Sequence, residues 1–170
     1  ACFPAKLAHG HIHFLSKLGL DAIFYPCMTY NIDEGLGDNH YNCPVVAYYP
    51  ELLHGNMPHL RQTTFLYPYL NLNSRHQLAK ELRAMFLRCG ISLPGPLVHR
   101  AVKRGFEAYR AFQEELAREG EKALSFARET GRRVMILAGR PYHADPEISH
   151  GIDELATTYG FCLITEDAVA

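Results

Sequence analysis

A chain of 170 residues, 48% hydrophobic and 21% charged, is long enough to enclose one compact core and has no compositional sign of disorder. Its formal net charge of -1, with both signs mixed along the chain, gives no electrostatic case for nucleic acid or anionic lipid. No apolar run approaches the roughly 20 residues needed to span a bilayer. The five cysteines are odd in number and spread from Cys2 to Cys162, and no signal-peptide pattern precedes them, so a disulfide framework is disfavoured and a reducing cytoplasm is expected.

In chain order, Ala5, Leu7, Ala8, Ile12, Leu15 and Leu18 recur at helical spacing and Gly19 supplies a stop, so Cys2 falls just before a helix. The run DAIFYP predicts a buried parallel strand with Cys27 at its carboxyl end. Met28 to Asn42 reads as an irregular loop, and PVVAYYP from Pro44 as the next strand, with Cys43 at its start. TTFLYPYLNL is a third strand candidate. RHQLAKELRAMFLRCG is a helix closed by Gly90 that carries Cys89 on its apolar face. Residues 96–130 form the longest helical stretch, with an apolar seam through Val98, Val102, Phe106, Tyr109, Phe112 and Leu116. The remainder, from RRVMILAGRPYHADP to FCLITED, repeats a strand, turn, helix, strand grammar.

This alternation predicts an α/β fold: an open, mostly parallel sheet, Rossmann-like, with helices on both faces and ligands at the carboxyl edge of the strands. Three regions are expected: a first lobe with the cysteine motifs over 1–95, a long bridging helix over 96–131, and the start of a second, similar lobe over 132–170. The opening on a cysteine motif and the stop after FCLITED lead us to expect part of a longer polypeptide.

Thiolates suit zinc and iron–sulfur clusters, but without a C-x-x-C pair the spacing names neither. Cys2 lies at the positive end of a helix near Lys6, a setting that suits an anionic sulfur. Cys27 and Cys43 flank the polar loop and compete for the same role, whereas Cys89 and Cys162 sit in apolar patterns and read as small hydrophobes. His9 and His13 stand four apart, as in a zinc pair, but the H-E-x-x-H glutamate is missing. In the Gly139–Pro146 turn, Arg140 suits a phosphate or carboxylate, His143 offers an imidazole that can donate or accept a hydrogen bond, and a following helix would offer its N–H groups to an anion. The bland alternative pairs Arg140 with Asp145 or Glu147. No P-loop, G-x-G-x-x-G or G-x-S-x-G motif occurs.

The phrases CFPAKLAHGHI, DAIFYPC, NHYNCPVVAYYPE and GRPYHADPEISHGID together resemble the domain of the 2-hydroxyacyl-CoA dehydratase activase-related proteins, large polypeptides of anaerobic type that also carry ATPase activase domains. The resemblance covers nearly the whole chain. That domain is in turn distantly similar to the dehydratase subunits that hold an iron–sulfur cluster with three cysteines between Rossmann-like lobes. The resemblance implies Cys2 as first ligand and Cys43 as second, with Cys27 the competitor, and a third ligand in a Cys-Gly segment beyond Ala170. It implies a 4Fe–4S or larger cluster that accepts a low-potential electron from the ATP-dependent activase domains and passes it to an acyl-CoA substrate or a partner. Lys6, His9, Asn42 and His143 would stand near the cluster or its substrate. Two alternatives remain: a cluster-free module that binds acyl-CoA or docks the ATPase domains, and a zinc-stabilised domain using Cys2, Cys27, Cys43 and His40.

Overall fold

The computed structural model describes residues 2–35 and 37–169, and the chain divides into two compact units, Ala1–Arg104 and Gly105–Ala170. In the first, helix α1 (Phe3–Leu15) starts at Cys2, whose backbone is extended, with Pro4 in the first turn where its missing N–H costs nothing. It feeds a strand made of two pieces, β1 (Ala22–Phe24) and β2 (Cys27–Tyr30). Helix α2 (Pro44–Asn56) and a 3-10 turn (Pro58–Gln62) then lead to a second strand, also in two pieces, β3 (Thr64–Leu66) and β4 (Tyr69–Asn71).

The two strands are parallel and in step. Phe24 stands opposite Leu66 and Cys27 opposite Tyr69, which sets the Tyr25-Pro26 break at the same rungs as Tyr67-Pro68. Proline donates no ladder hydrogen bond, and here both strands lose one at the same height. The ladder nevertheless carries on through Tyr25 N–H to Leu66 O at 2.8 Å and Cys27 N–H to Pro68 O at 2.9 Å. Cys27 is therefore in the middle of a strand, not at its carboxyl end, and the expected irregular loop begins only at Asn31.

The predicted strand PVVAYYP is a helix. Val45, Val46 and the tyrosines favour strand on propensity, but Cys43 is an extended N-cap and Pro44 fits the first helical position. Pro50 removes an N–H from the helix interior, yet it is fully buried, as is Leu53 one turn on, so packing overrides propensity. Leu53 joins Ile12, Ile23, Met57, Leu60 and Phe65 in the core of this unit.

Helix α3 (Arg75–Arg88) is capped by the Ser74 hydroxyl, which accepts the Gln77 N–H at 3.3 Å. Its other end closes through Gly90 at φ 78°, with Ile91 N–H on Phe86 O at 2.9 Å and Gly90 N–H on Leu87 O at 3.0 Å. Cys89, expected on the apolar face, is exposed at this C-terminus. Helix α4 (Gly95–Thr130) begins in the first unit and runs into the second.

In the second unit, Gly131 (φ 64°) turns the chain into β5 (Arg133–Leu137), and Arg132 N–H reaches back to Ala127 O at 2.9 Å. A 3-10 turn (Pro141–Ala144) and two short helices, α5 (Pro146–Ser149) and α6 (Ile152–Thr158), lead to β6 (Phe161–Thr165), parallel to β5 over five rungs. Cys162, Ile164, Ala127 and Ala168 form the core. Buried Cys162 donates to Ala123 O at 3.5 Å, as a small hydrophobe with a weak donor does.

The fold is therefore α/β with parallel strands, which among the described residues pair as β1 with β3, β2 with β4 and β5 with β6. Among the described residues, no helix is long and apolar enough to cross a membrane.

The close approach of α4 to the final turn gives a test. A Cβ on Gly120 would stand 1.9 Å from Ala168 O, whereas a Cβ on Gly105 would meet nothing within 4 Å. Gly120→Ala should destabilise the protein by about 1–3 kcal/mol in thermal or urea melts, despite alanine's helix preference. Gly105→Ala should be neutral or stabilising by up to about 1 kcal/mol.

Candidate functional site

The first unit brings Cys2 and Cys43 to corresponding places. Each is the N-cap of a helix, with φ/ψ of -69°/164° at Cys2 and -61°/157° at Cys43, each precedes a first-turn proline, and neither side chain makes a capping hydrogen bond. Both thiols are free and exposed, and α1 packs against α2. His13, near the C-terminus of α1, meets His59 edge-on at 5.4 Å just ahead of β3. That end of α1 thus lies beside the strand starts, and Cys2, about 20 Å away along the helix, lies toward their carboxyl ends.

Cys43 is delivered to the same edge by Asn42. The Asn42 side-chain amide donates to Met28 O and its backbone N–H to Thr29 O, each at 2.9 Å. Thr29 in turn donates to Asn71 Oδ1 at 2.7 Å, and Asn31 N–H bonds His40 O at 2.9 Å, so the loop is folded back on the strands. Asn42 is thereby engaged in holding Cys43 in place. Lys6 is exposed in the first turn of α1, and its N–H reaches Cys2 O at 3.3 Å.

Cys27 has a different environment. It is fully buried, and burial pushes its thiol up, against the opposing pull of the Glu51 backbone and the Tyr69 hydroxyl. Tyr69, its partner on the opposite strand, donates its hydroxyl to the Glu51 carboxylate from α2, and that bond raises the tyrosine well above its ordinary value. Tyr48 lies 6.2 Å from the Tyr69 ring. The Tyr69–Glu51 bond ties α2 to the strands beside Cys27. Sequence reasoning missed Tyr69 and Glu51, whose only signal was the recurrence of Tyr-Pro ahead of each.

Among the described residues, no three His, Cys, Asp or Glu side chains form a group that could hold a metal ion. The zinc set of Cys2, Cys27, Cys43 and His40 is therefore not assembled, and His9 and His13 gain no third ligand. His40 instead faces Asp33 at 3.5 Å. His13 titrates below its ordinary range, chiefly because of Lys17, then burial, His59 and His9. Of the three cysteines singled out in the sequence, Cys2 and Cys43 are exposed and Cys27 is buried.

Arg140 and His143 belong to the second unit. Arg140 is exposed, and its backbone N–H donates to His143 Nδ1 at 3.1 Å, so a neutral His143 carries its hydrogen on Nε2. A Cβ on Gly139 would stand 2.4 Å from that Nδ1. The helix expected to receive an anion, α5, is a single turn of 4 residues, and the Asp145 carboxylate already accepts the Glu147 N–H at 2.9 Å. Asp145 thus caps the helix, and α5 offers no anion seat.

Two outcomes follow from the contrast among the thiols. A chromogenic disulfide reagent should titrate Cys2, Cys43 and Cys89 rapidly in the native protein, and Cys27 and Cys162 only in denaturant. Because folding raises Cys27 above 9.0 and Tyr25 and Tyr69 above 10.0, their contributions to stability are complete below those values and are lost as pH rises through the raised folded ones. The urea midpoint should hold level up to about pH 8.5 and then fall. In Cys27→Ala the first part of that fall should vanish, leaving the tyrosine step above about pH 10.

No curated protein and no solved structure matches the chain. The family described as CoA enzyme activase uncharacterised domain matches residues 1–169, so the chain belongs to that family.

Proposed function

We propose that the first unit is the cysteine-bearing lobe of an iron–sulfur module in a CoA-enzyme activase system, working in a reducing cytoplasm, with Cys2 and Cys43 as its ligands. The matched presentation of these two thiols, exposed at the N-caps of packed helices and toward the same strand edge, carries this reading. Membership of the activase family supplies the context. A further ligand would come from outside this chain.

A cluster bound there would supply one-electron chemistry at low potential for a CoA-type substrate or a partner, fed by ATP-dependent activase domains. The residues of this chain do the rest. Cys2 and Cys43 bind, and the first-turn amides of α1 and α2 favour the negative charge of ligated sulfur. Asn42 fixes the approach of Cys43, and Lys6 adds positive charge beside Cys2. Cys27, Tyr69 and Glu51 keep α2, and so Cys43, at a fixed height on the strands.

The test is iron, acid-labile sulfide and zinc content, with low-temperature EPR after dithionite, on the protein reconstituted without oxygen. Iron and sulfide should be stoichiometric in the parent and in Cys27→Ala, and lost in Cys2→Ala and Cys43→Ala. Circular dichroism on each variant separates ligand loss from unfolding. Iron that is absent from the parent, or indifferent to Cys2 and Cys43, would overturn the proposal and favour a docking module. One tightly held zinc in its place would favour the zinc-stabilised domain.

A further inference from the structure

Charge is distributed unevenly along the chain. Between residues 75 and 104 stand seven Lys or Arg and a single carboxylate, Glu81, in a protein whose net charge is -1. This stretch is α3, the turn after it and the first turns of α4, all within the first unit.

Between these helices lies a cavity of about 380 Å³ whose lining includes His76, Lys80, Arg83 and His99, with Ala84 and Leu87 on its apolar floor. No carboxylate is among its lining residues. Glu81 lines a different cavity and accepts a hydrogen bond from Gln77 at 2.9 Å. The four basic side chains are exposed, so none bears the cost of a buried charge.

Two of the four are held in place by backbone carbonyls. Arg83 Nε donates to Leu93 O at 3.2 Å, which fixes the guanidinium stem against the turn and leaves its terminal nitrogens for another acceptor. His99 Nδ1 lies 2.9 Å from Gly95 O. A carbonyl only accepts, so this nitrogen carries hydrogen, and Nε2 is the atom left to take a proton and donate. The His76 ring is 5.6 Å from that of His99.

We infer that this cavity binds a phosphate ester, with the phosphate facing Lys80, Arg83 and the two imidazoles and the organic body on Ala84 and Leu87. A planar guanidinium matches phosphate oxygens in a fork, and a nearby ammonium adds a point charge. A dianion is the ligand charge that the two cations Lys80 and Arg83 complement, with the imidazoles adding hydrogen-bond donors. The volume falls in the range of small-molecule sites, roughly 300–1,000 Å³.

The test uses phenyl phosphate as probe on the whole chain, with isothermal calorimetry at low salt and phenol and inorganic phosphate in parallel. Phenyl phosphate should bind more tightly than either, because only it satisfies both the cations and the apolar floor. Arg83→Gln combined with Lys80→Gln should weaken it by about tenfold or more, with circular dichroism unchanged. Arg110→Gln, on α4 outside the cavity, should leave it unaltered. Phenyl phosphate that binds no better than phenol, or binds the double variant as well as the parent, would sink the assignment. Inorganic phosphate binding as tightly as the ester would also overturn it, since the surface would then be reading charge alone.

Discussion

The first unit depends on one constraint, the in-step pairing of two parallel strands that are both interrupted by Tyr-Pro. A lone proline in a central strand deletes a ladder bond and bends its strand away from its neighbour. When the same break occurs on the same rungs of both strands, they depart from regularity together, and the bonds from Tyr25 and Cys27 restore the ladder across the gap. The register then has little freedom. A slip of one residue would set a proline against a residue expecting a partner and turn Ile23 and Phe65 out of the core.

That register has consequences at both ends of the strands. With the strands parallel, the connection between them must cross back, and α2 is that crossover, entering near the carboxyl end of β2. α1, held at its far end by the His13 contact with His59, presents its own N-terminus toward the same side. Cys2 and Cys43 are thus brought to one edge by topology, though 40 residues separate them in sequence. The second unit repeats the plan on a smaller scale, with β5 and β6 parallel and α6 between them in the chain.

How much of this was legible in the sequence follows from which interactions are local. Helices α1, α3 and α4 were readable because each keeps apolar residues at helical spacing and ends or begins on a recognisable cap. α2 was misread because its first residues are β-branched and aromatic and Pro50 interrupts it, so the local signal opposed the outcome. What decides it is burial of Ala47, Pro50 and Leu53 against strands that lie elsewhere in the sequence. The Tyr69–Glu51 bond and its contact with Cys27 were likewise invisible, since they require the register of β2 on β4 and the placement of α2 together. The same holds for the cavity between α3 and α4. Its basic residues are plain in the sequence, but the carbonyls that hold Arg83 and His99 are supplied by the turn between the helices and by the first residue of α4.

The cysteines show how position divides one chemistry into separate roles. Burial costs the charged form of any group its hydration, so a thiol with no solvent contact stays protonated unless several strong donors or a metal compensate. Cys27 has a backbone amide and a hydroxyl opposing that effect, and burial still prevails. Cys2 and Cys43 bear no such cost, and each follows an extended backbone into a helix whose first amides lack intrahelical partners. The three sequence phrases that carry these residues look equivalent when read singly, and a sequence argument had no basis for ordering Cys27 against Cys43. The structure gives them different surroundings, Cys27 buried inside a strand and Cys43 exposed at a helix mouth. Cys27 is held in packing and hydrogen bonding, while Cys2 and Cys43 at the helix caps, like Cys89 at the end of α3, meet solvent.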